Sequence, residues 1–215
     1  MRGDPPDPAR ARPVARDRIL QAALALFLRN GFARTGVREI AALSEVSAGS
    51  VFNHFESKED VLYCLISEMQ YSVAPAIQAA ADACRSKIDD PSQSVEASLL
   101  ALVRQYIVAV DTWHRHIVLS VQEARWLPRE RLAEVVEIER RMRDSLAEIL
   151  RAGVEREEFT GGDLRFRAHL IQTVLQSWAT RRWALEDLDD VDAFLPKAER
   201  AVIAVLRAPE APAGV

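Results

Sequence analysis

Residues 44–62 read SEVSAGSVFNHFESKEDVL, and the fold turns on how this stretch is read. It holds two helix-start signals, a glycine, two phenylalanines and an Asn-His pair. Ser47 stands one residue before a short helix, and Ser57 before another, each able to accept from the backbone amides that a helix start leaves unpaired. Asp60 turns the second into a capping-box-like Ser-x-x-Asp. The short helices at 36–44 and 48–54, joined by a tight turn, make a helix-turn-helix. Such a unit suits DNA because a helix fits the major groove with its N-terminal residues at base edges. Ser47, Ala48, Gly49 and Ser50 are small enough for close approach, and the helix-start amides attract phosphate. Asn53 is suited to an adenine edge or a phosphate, His54 and Lys58 to the sugar-phosphate rail, and Thr35 and Arg38 to the backbone on the other side. A purely structural role for Phe52 and Phe55 stays open, and Val51 and Phe55 read as core.

Upstream, residues 1–13 carry four prolines and three arginines without periodicity, the composition of a disordered arm. From Val14 the spacing is helical, with Ile19, Ala23, Leu26 and Phe27 on one face. Asn30-Gly31 ends that helix. Thr35 is placed to cap the next, with Val37, Ile40 and Ala41 facing inward. Downstream of Ser57, Val61, Leu62, Leu65, Ile66 and Met69 form an apolar stripe, and Pro75 is expected to kink or interrupt it. Asp90-Pro91 looks like the start of a helix running to about Asp111. Further helices are expected over about 113–125, 128–157, 163–186 and 191–207, with a loop at 158–162 and Glu139→Arg143 as an i,i+4 pair on the second of them. No convincing strand pattern occurs. The chain reads as all-α: an arm at 1–13, a helix-turn-helix domain at 14–60, a helical bundle at 61–208 and a tail at 209–215.

Charge is unevenly spread. Residues 1–58 hold nine Lys/Arg against six Asp/Glu, while the rest holds nineteen against twenty-six. A basic head on an acidic body fits a head that meets a polyanion. The sequence has no run of 18 apolar residues to span a membrane, and the N-terminus lacks the apolar region of a signal peptide. Cys64 and Cys84 form no CxxC or Cys/His cluster, which argues against a metal site and fits a reducing cytoplasm. No nucleophile elbow, phosphate loop or dinucleotide fingerprint is present, and the i,i+2 pair His114 and His116 does not share a helix face. These absences point away from an enzyme and leave no cofactor to expect.

The run RDRILQAALALFLRNGFARTGVREIAALSEVSAGSVFNHFESKEDVL resembles the DNA-binding head of TetR-family transcriptional repressors. The match lies in Ala-x-x-Leu-Phe-x-x-x-Gly-Phe-x-x-Thr, Ile-Ala, Val-Ser-x-Gly-Ser, His-Phe and Ser-Lys-Glu-Asp. Three positions depart from the pattern. Glu45 stands where the turn commonly has Gly, Ala48 replaces the usual Lys, and Phe52-Asn53 replaces the common aromatic pair. The resemblance implies a homodimer on a double-stranded palindromic operator, with the helices at about 164–186 and 191–207 pairing across a two-fold axis. It also implies a small-molecule effector in the C-terminal body. A weaker resemblance, in LSVQEARWLPRERLAEVVEIERR, GVEREEF and SWATRRW, points to the branch that responds to fatty-acyl-CoA. Candidate effector contacts are Tyr106, Trp113, Trp126, Phe159, Trp178 and Trp183, with Arg125 and Arg182 beside tryptophans. The competing reading is a helical ligand-binding or interaction protein without DNA binding.

Overall fold

A computed structural model describes residues 8–86, 94–185 and 190–209. Among them are nine α-helices and no strand: α1 (Pro8–Asn30), α2 (Val37–Leu43), α3 (Ala48–His54), α4 (Lys58–Ser86), α5 (Val95–Thr112), α6 (His114–Glu123), α7 (Arg129–Glu155), α8 (Leu164–Arg181) and α9 (Val191–Arg207). Short 3-10 turns follow α6 at Ala124–Trp126 and α8 at Arg182–Ala184. None of these helices is long and apolar enough to cross a membrane.

Three local expectations change, and a fourth falls outside the described residues. Helix α1 begins at Pro8, so the backbone of residues 8–13 is helical, and 1–7 lie outside the described residues. The expected helix start at Asp90-Pro91 also lies outside them. Helix α5 is capped by Ser94, whose hydroxyl accepts from Ala97 N at 3.2 Å. Pro75 does not end α4. The buried row Met69, Val73, Ile77 and Ala81 continues straight past it, and four buried side chains outweigh the ~3 kcal/mol that an internal proline costs. The expected Glu139–Arg143 pair gives way to Gln70, whose Nε2 donates to Glu139 Oε1 at 2.9 Å. Ion pairs on α7 run instead from Glu137 to Arg140 and Arg141, at 2.8 and 3.1 Å.

The chain divides into two compact units, one formed by the residues up to Glu68 with Val118–Ala133, the other by Met69–Ile117 with the residues from Glu134 onward. In the first, Ile19, Ala23 and Phe27 of α1 are fully buried, as are Ile40 of α2 and Leu62, Leu65 and Ile66 of α4. The second is built on α5, α8 and α9, which pack against one another, with α4 and α7 adding Ile77, Met142, Leu146 and Ile149 to its core.

Two side chains far apart in sequence close helix ends in the second unit. Glu158 accepts from Val95 N at 3.0 Å, Glu96 N at 2.9 Å and the Ser94 hydroxyl at 2.7 Å, supplying an anion to the amides at the start of α5. Arg167 is buried and donates to the carbonyls of Thr160, Val205, Leu206 and Ala208. It thereby satisfies the orphan carbonyls at the end of α9.

Candidate DNA-binding surface and effector cavity

In the helix-turn-helix, both serine caps form. Ser47 Oγ accepts from Ser50 N at 3.0 Å, and Ser57 Oγ from Asp60 N at 3.1 Å. Asp60 reaches back to Glu56 N at 3.3 Å. Helix α2 is capped differently from the expectation. Its N-cap is Gly36, whose amide donates to Glu39 Oε2 at 2.7 Å. Thr35 is turned inward and 1 % exposed, its hydroxyl donating to the Gly31 carbonyl at 2.9 Å.

The turn between α2 and α3 passes through Glu45, which takes φ 54° where the resemblance calls for glycine. Arg18 of α1 grips this turn, donating to the Ser44 carbonyl and, at 3.1 Å, to the Glu45 carboxylate. Sequence reasoning passed over Arg18. Its position one residue before the buried Ile19 gave no sign of a contact 27 residues away.

Helix α3 buries Val51 on one side, with Phe55 beyond its end, and presents Gly49, Phe52 and Asn53 to solvent on the other. A Cβ at Gly49 would meet only Ser47 Oγ, at 3.8 Å, so the fold itself does not require glycine there. Ser47 is exposed, Ala48, Ser50 and His54 are half-buried, and Arg38 is exposed with no bond among the described residues. Lys58 is half-buried and already bonded within the head. Its ammonium donates to the carbonyls of Phe32 and Thr35, both at 2.9 Å, and lies 4.2 Å from the Phe32 ring centre. Of the expected DNA contacts, Arg38, Ser47, Gly49, Phe52 and Asn53 are exposed and Ala48, Ser50 and His54 half-buried, while Thr35 is buried and the Lys58 ammonium is taken up by main-chain carbonyls.

The second unit contains a small, mainly apolar cavity lined by Ile77, Leu99, Leu102, Val103, Tyr106, Met142, Leu146, Ile171, Gln172 and Leu175. A neighbouring pocket shares Ile77, Leu102 and Tyr106 with it and reaches Gln105 and Trp113. Of the sequence candidates, Tyr106 and Trp113 therefore line cavities. Burial raises the Tyr106 phenol above its ordinary pKa, outweighing the Gln176 amide that donates to it at 3.2 Å.

The other candidates serve packing or lie elsewhere. Trp178 stacks on Phe194 at 5.2 Å, and its indole N–H donates to Asp111 at 2.7 Å. Arg182 covers the Trp178 ring at 5.0 Å and lies 3.9 Å from Asp111, so a carboxylate of the chain already faces it. Phe159 fills the space beside Gly153, where a Cβ would fall 2.0 Å from its ring. Trp183 is 77 % exposed. Arg125 and Trp126 belong to the first unit, where Trp126 meets Phe32 at 6.0 Å.

The cavity wall is mostly aliphatic, so Tyr106 alone of the aromatic candidates lies on it. A usable signal existed: Gln172 interrupts the α8 row Ala168, Ile171, Leu175 and Ala179, all buried. A polar residue in a buried stripe needs a partner or a purpose.

Comparison with known proteins agrees with this geometry. Residues 19–63 match the family model for bacterial regulatory proteins of the tetR family, and residues 92–183 match a tetracyclin repressor-like C-terminal domain. The transcriptional repressor KstR2 of Rhodococcus jostii is 24 % identical over 189 residues, 85 % of this chain and 86 % of that one. The crystal structure of a tetR-family regulatory protein from Rhodococcus RHA1 is 25 % identical, with TM-score 0.78 over 90 % of this chain and 97 % of the other. FadR of Bacillus subtilis, crystallised in complex with stearoyl-CoA, shares the fold at 20 % identity and TM-score 0.61, over 88 % of this chain and 97 % of its own. With both a head model and a body model matched, the chain belongs to the TetR family of DNA-binding transcriptional regulators, which are not enzymes.

Proposed function

We propose that the chain is a repressor that binds a palindromic operator as a homodimer and is released by a small apolar effector. The observation that carries the DNA side is α3: its buried face locks it in the head, while Gly49 next to its capped start and Phe52 and Asn53 in its last turn are exposed. We assign base and phosphate contact to Arg38, Ser47, Ala48, Gly49, Ser50, Phe52, Asn53 and His54. DNA binding is the role of residues 14–60, and effector binding and dimerisation that of 61–208. Two copies related by a two-fold axis present two α3 helices to successive major grooves, about 34–36 Å apart. Helices α8 and α9 are the proposed dimer surface, supported by Phe166, which is 55 % exposed on α8. Release requires only that the effector bind the conformation that fits DNA less well than the one that does not.

The effector site is the cavity beside Tyr106. A fatty-acyl-CoA is the specific candidate, favoured by the fold shared with the stearoyl-CoA-bound FadR. Among the described residues no Lys, Arg or His lines the cavity, so the charged head of such a molecule would have to lie outside it. Selection of bound sequences from a random DNA pool at fixed salt, with and without an acyl-CoA mixture, tests both halves. One palindrome that acyl-CoA abolishes is the expected result. A palindrome indifferent to acyl-CoA removes the acyl-CoA candidate, and no enriched sequence at all returns the protein to the reading without DNA binding.

A further inference from the structure

Two polar side chains stand in the wall of the small apolar cavity, and each has a hydrogen to give. Gln172 is only 7 % exposed, yet its Nε2 has no acceptor among the described residues. The Tyr106 oxygen accepts from Gln176, and no acceptor among the described residues faces its own hydrogen. Gln172 and Gln176 lie one turn apart on α8, so the Gln172 amide and the phenol bonded to Gln176 lie along one face of that helix. Burial keeps the phenol protonated, and hence a donor, across the ordinary pH range.

A core built for stability alone would fill this position with Leu or Met, because a buried donor left unpaired is costly. The remaining wall is Ile, Leu, Val and Met. A carboxylate entering it would lose its water and meet no cation. A pure hydrocarbon would fill the space and leave both donors unpaired. We infer that this cavity takes an uncharged, mainly apolar molecule that offers a carbonyl-type oxygen to Gln172 and Tyr106. The inference rests on the effector reading above and narrows its chemistry.

Three isosteric probes separate these cases: acetophenone, isopropylbenzene and benzoate, titrated calorimetrically into the full chain at pH 7 without DNA. Acetophenone should bind and benzoate should not. Gln172→Leu should weaken acetophenone about tenfold, the value of one hydrogen bond, while leaving isopropylbenzene unchanged or tighter. Tyr106→Phe should act in the same direction. The ligand-free Gln172→Leu protein should melt at or above the wild-type temperature, since it loses an unpaired donor.

Benzoate binding more tightly than acetophenone overturns the inference, as does equal weakening of both neutral probes or no binding by either. A lower melting temperature for Gln172→Leu would assign the amide to the core and overturn it too. Because the titration contains no DNA, its failure is distinct from failure of operator selection. A bound ketone that does not release the operator would remove the effector role and leave the cavity chemistry standing.

Discussion

Lys58 donates to the main-chain carbonyl of Thr35 at 2.9 Å, so two residues whose types suit phosphate contact hold each other inside the head. A charged donor satisfying two carbonyls is worth more to the fold than a solvated lysine at the surface. Lys58→Met should therefore lower stability by about 1–3 kcal/mol, a fall of several degrees in melting temperature for a chain of this size. The salt dependence of operator binding should stay unchanged. A shallower salt slope with unaltered melting would show that Lys58 reaches phosphate after all.

Arg38 and Asn53 should show the opposite pattern. Arg38→Ala is expected to leave melting unaltered, weaken binding on every DNA sequence alike, and reduce the slope of log affinity against log salt by about one. Asn53→Ala, if Asn53 reads a base edge, should cost about 1–3 kcal/mol on the selected operator and relax preference at one position of each half-site. Binding isotherms at three salt concentrations, on operator and scrambled DNA, separate the two roles.

The contrast between these residues also marks how far the sequence could be read. The caps at Ser47 and Ser57 were readable because each is local, a side chain and an amide three residues apart. Thr35 and Gly36 are adjacent and both able to cap. Glu39, bonding back to the Gly36 amide, fits Gly36 as the cap and leaves Thr35 to turn inward. The all-α bundle followed from helical spacing. Its cavity did not, because the wall is assembled from α4, α5, α7 and α8, and ordinary Leu, Ile and Val carry no sign of which of them border empty space. The same holds for Glu158 at the start of α5, a contact spanning 63 residues from Val95. No local rule brings those residues together.

Gly153 is buried in α7 against Phe159, and an added Cβ would fall 2.0 Å from the ring. Gly153→Ala should destabilise by about 1–3 kcal/mol through overpacking, despite the better helix propensity of alanine. Phe159→Leu placed on top of it should recover part of the loss, so that the two changes together cost less than their sum. Additive costs in a double-mutant cycle would contradict the contact.

Acid should weaken the second unit in two stages, each belonging to one residue. His116 is buried with Nδ1 unpaired, edge-on to Trp113 at 4.8 Å. Burial, helped by Arg115 and His114, pushes its pKa down to about 4 from 6.5. Between those values the unfolded chain binds a proton that the folded chain refuses, so stability is lost as pH falls from 6.5 toward 4. Glu158 acts lower. Burial alone would raise its pKa, but the donors at Glu96, Ser94 and Val95, together with Arg156, outweigh that and hold it below 4.5. Its contribution is present above 4.5 and disappears as pH falls through the depressed folded value. Melting temperature against pH should therefore decline first from about pH 6.5 in the wild type, and His116→Leu should remove that limb. Glu158→Gln should lower the neutral plateau and flatten only the decline below pH 4.5. A His116→Leu protein that still softens between pH 6.5 and 4 would place the first proton on another group.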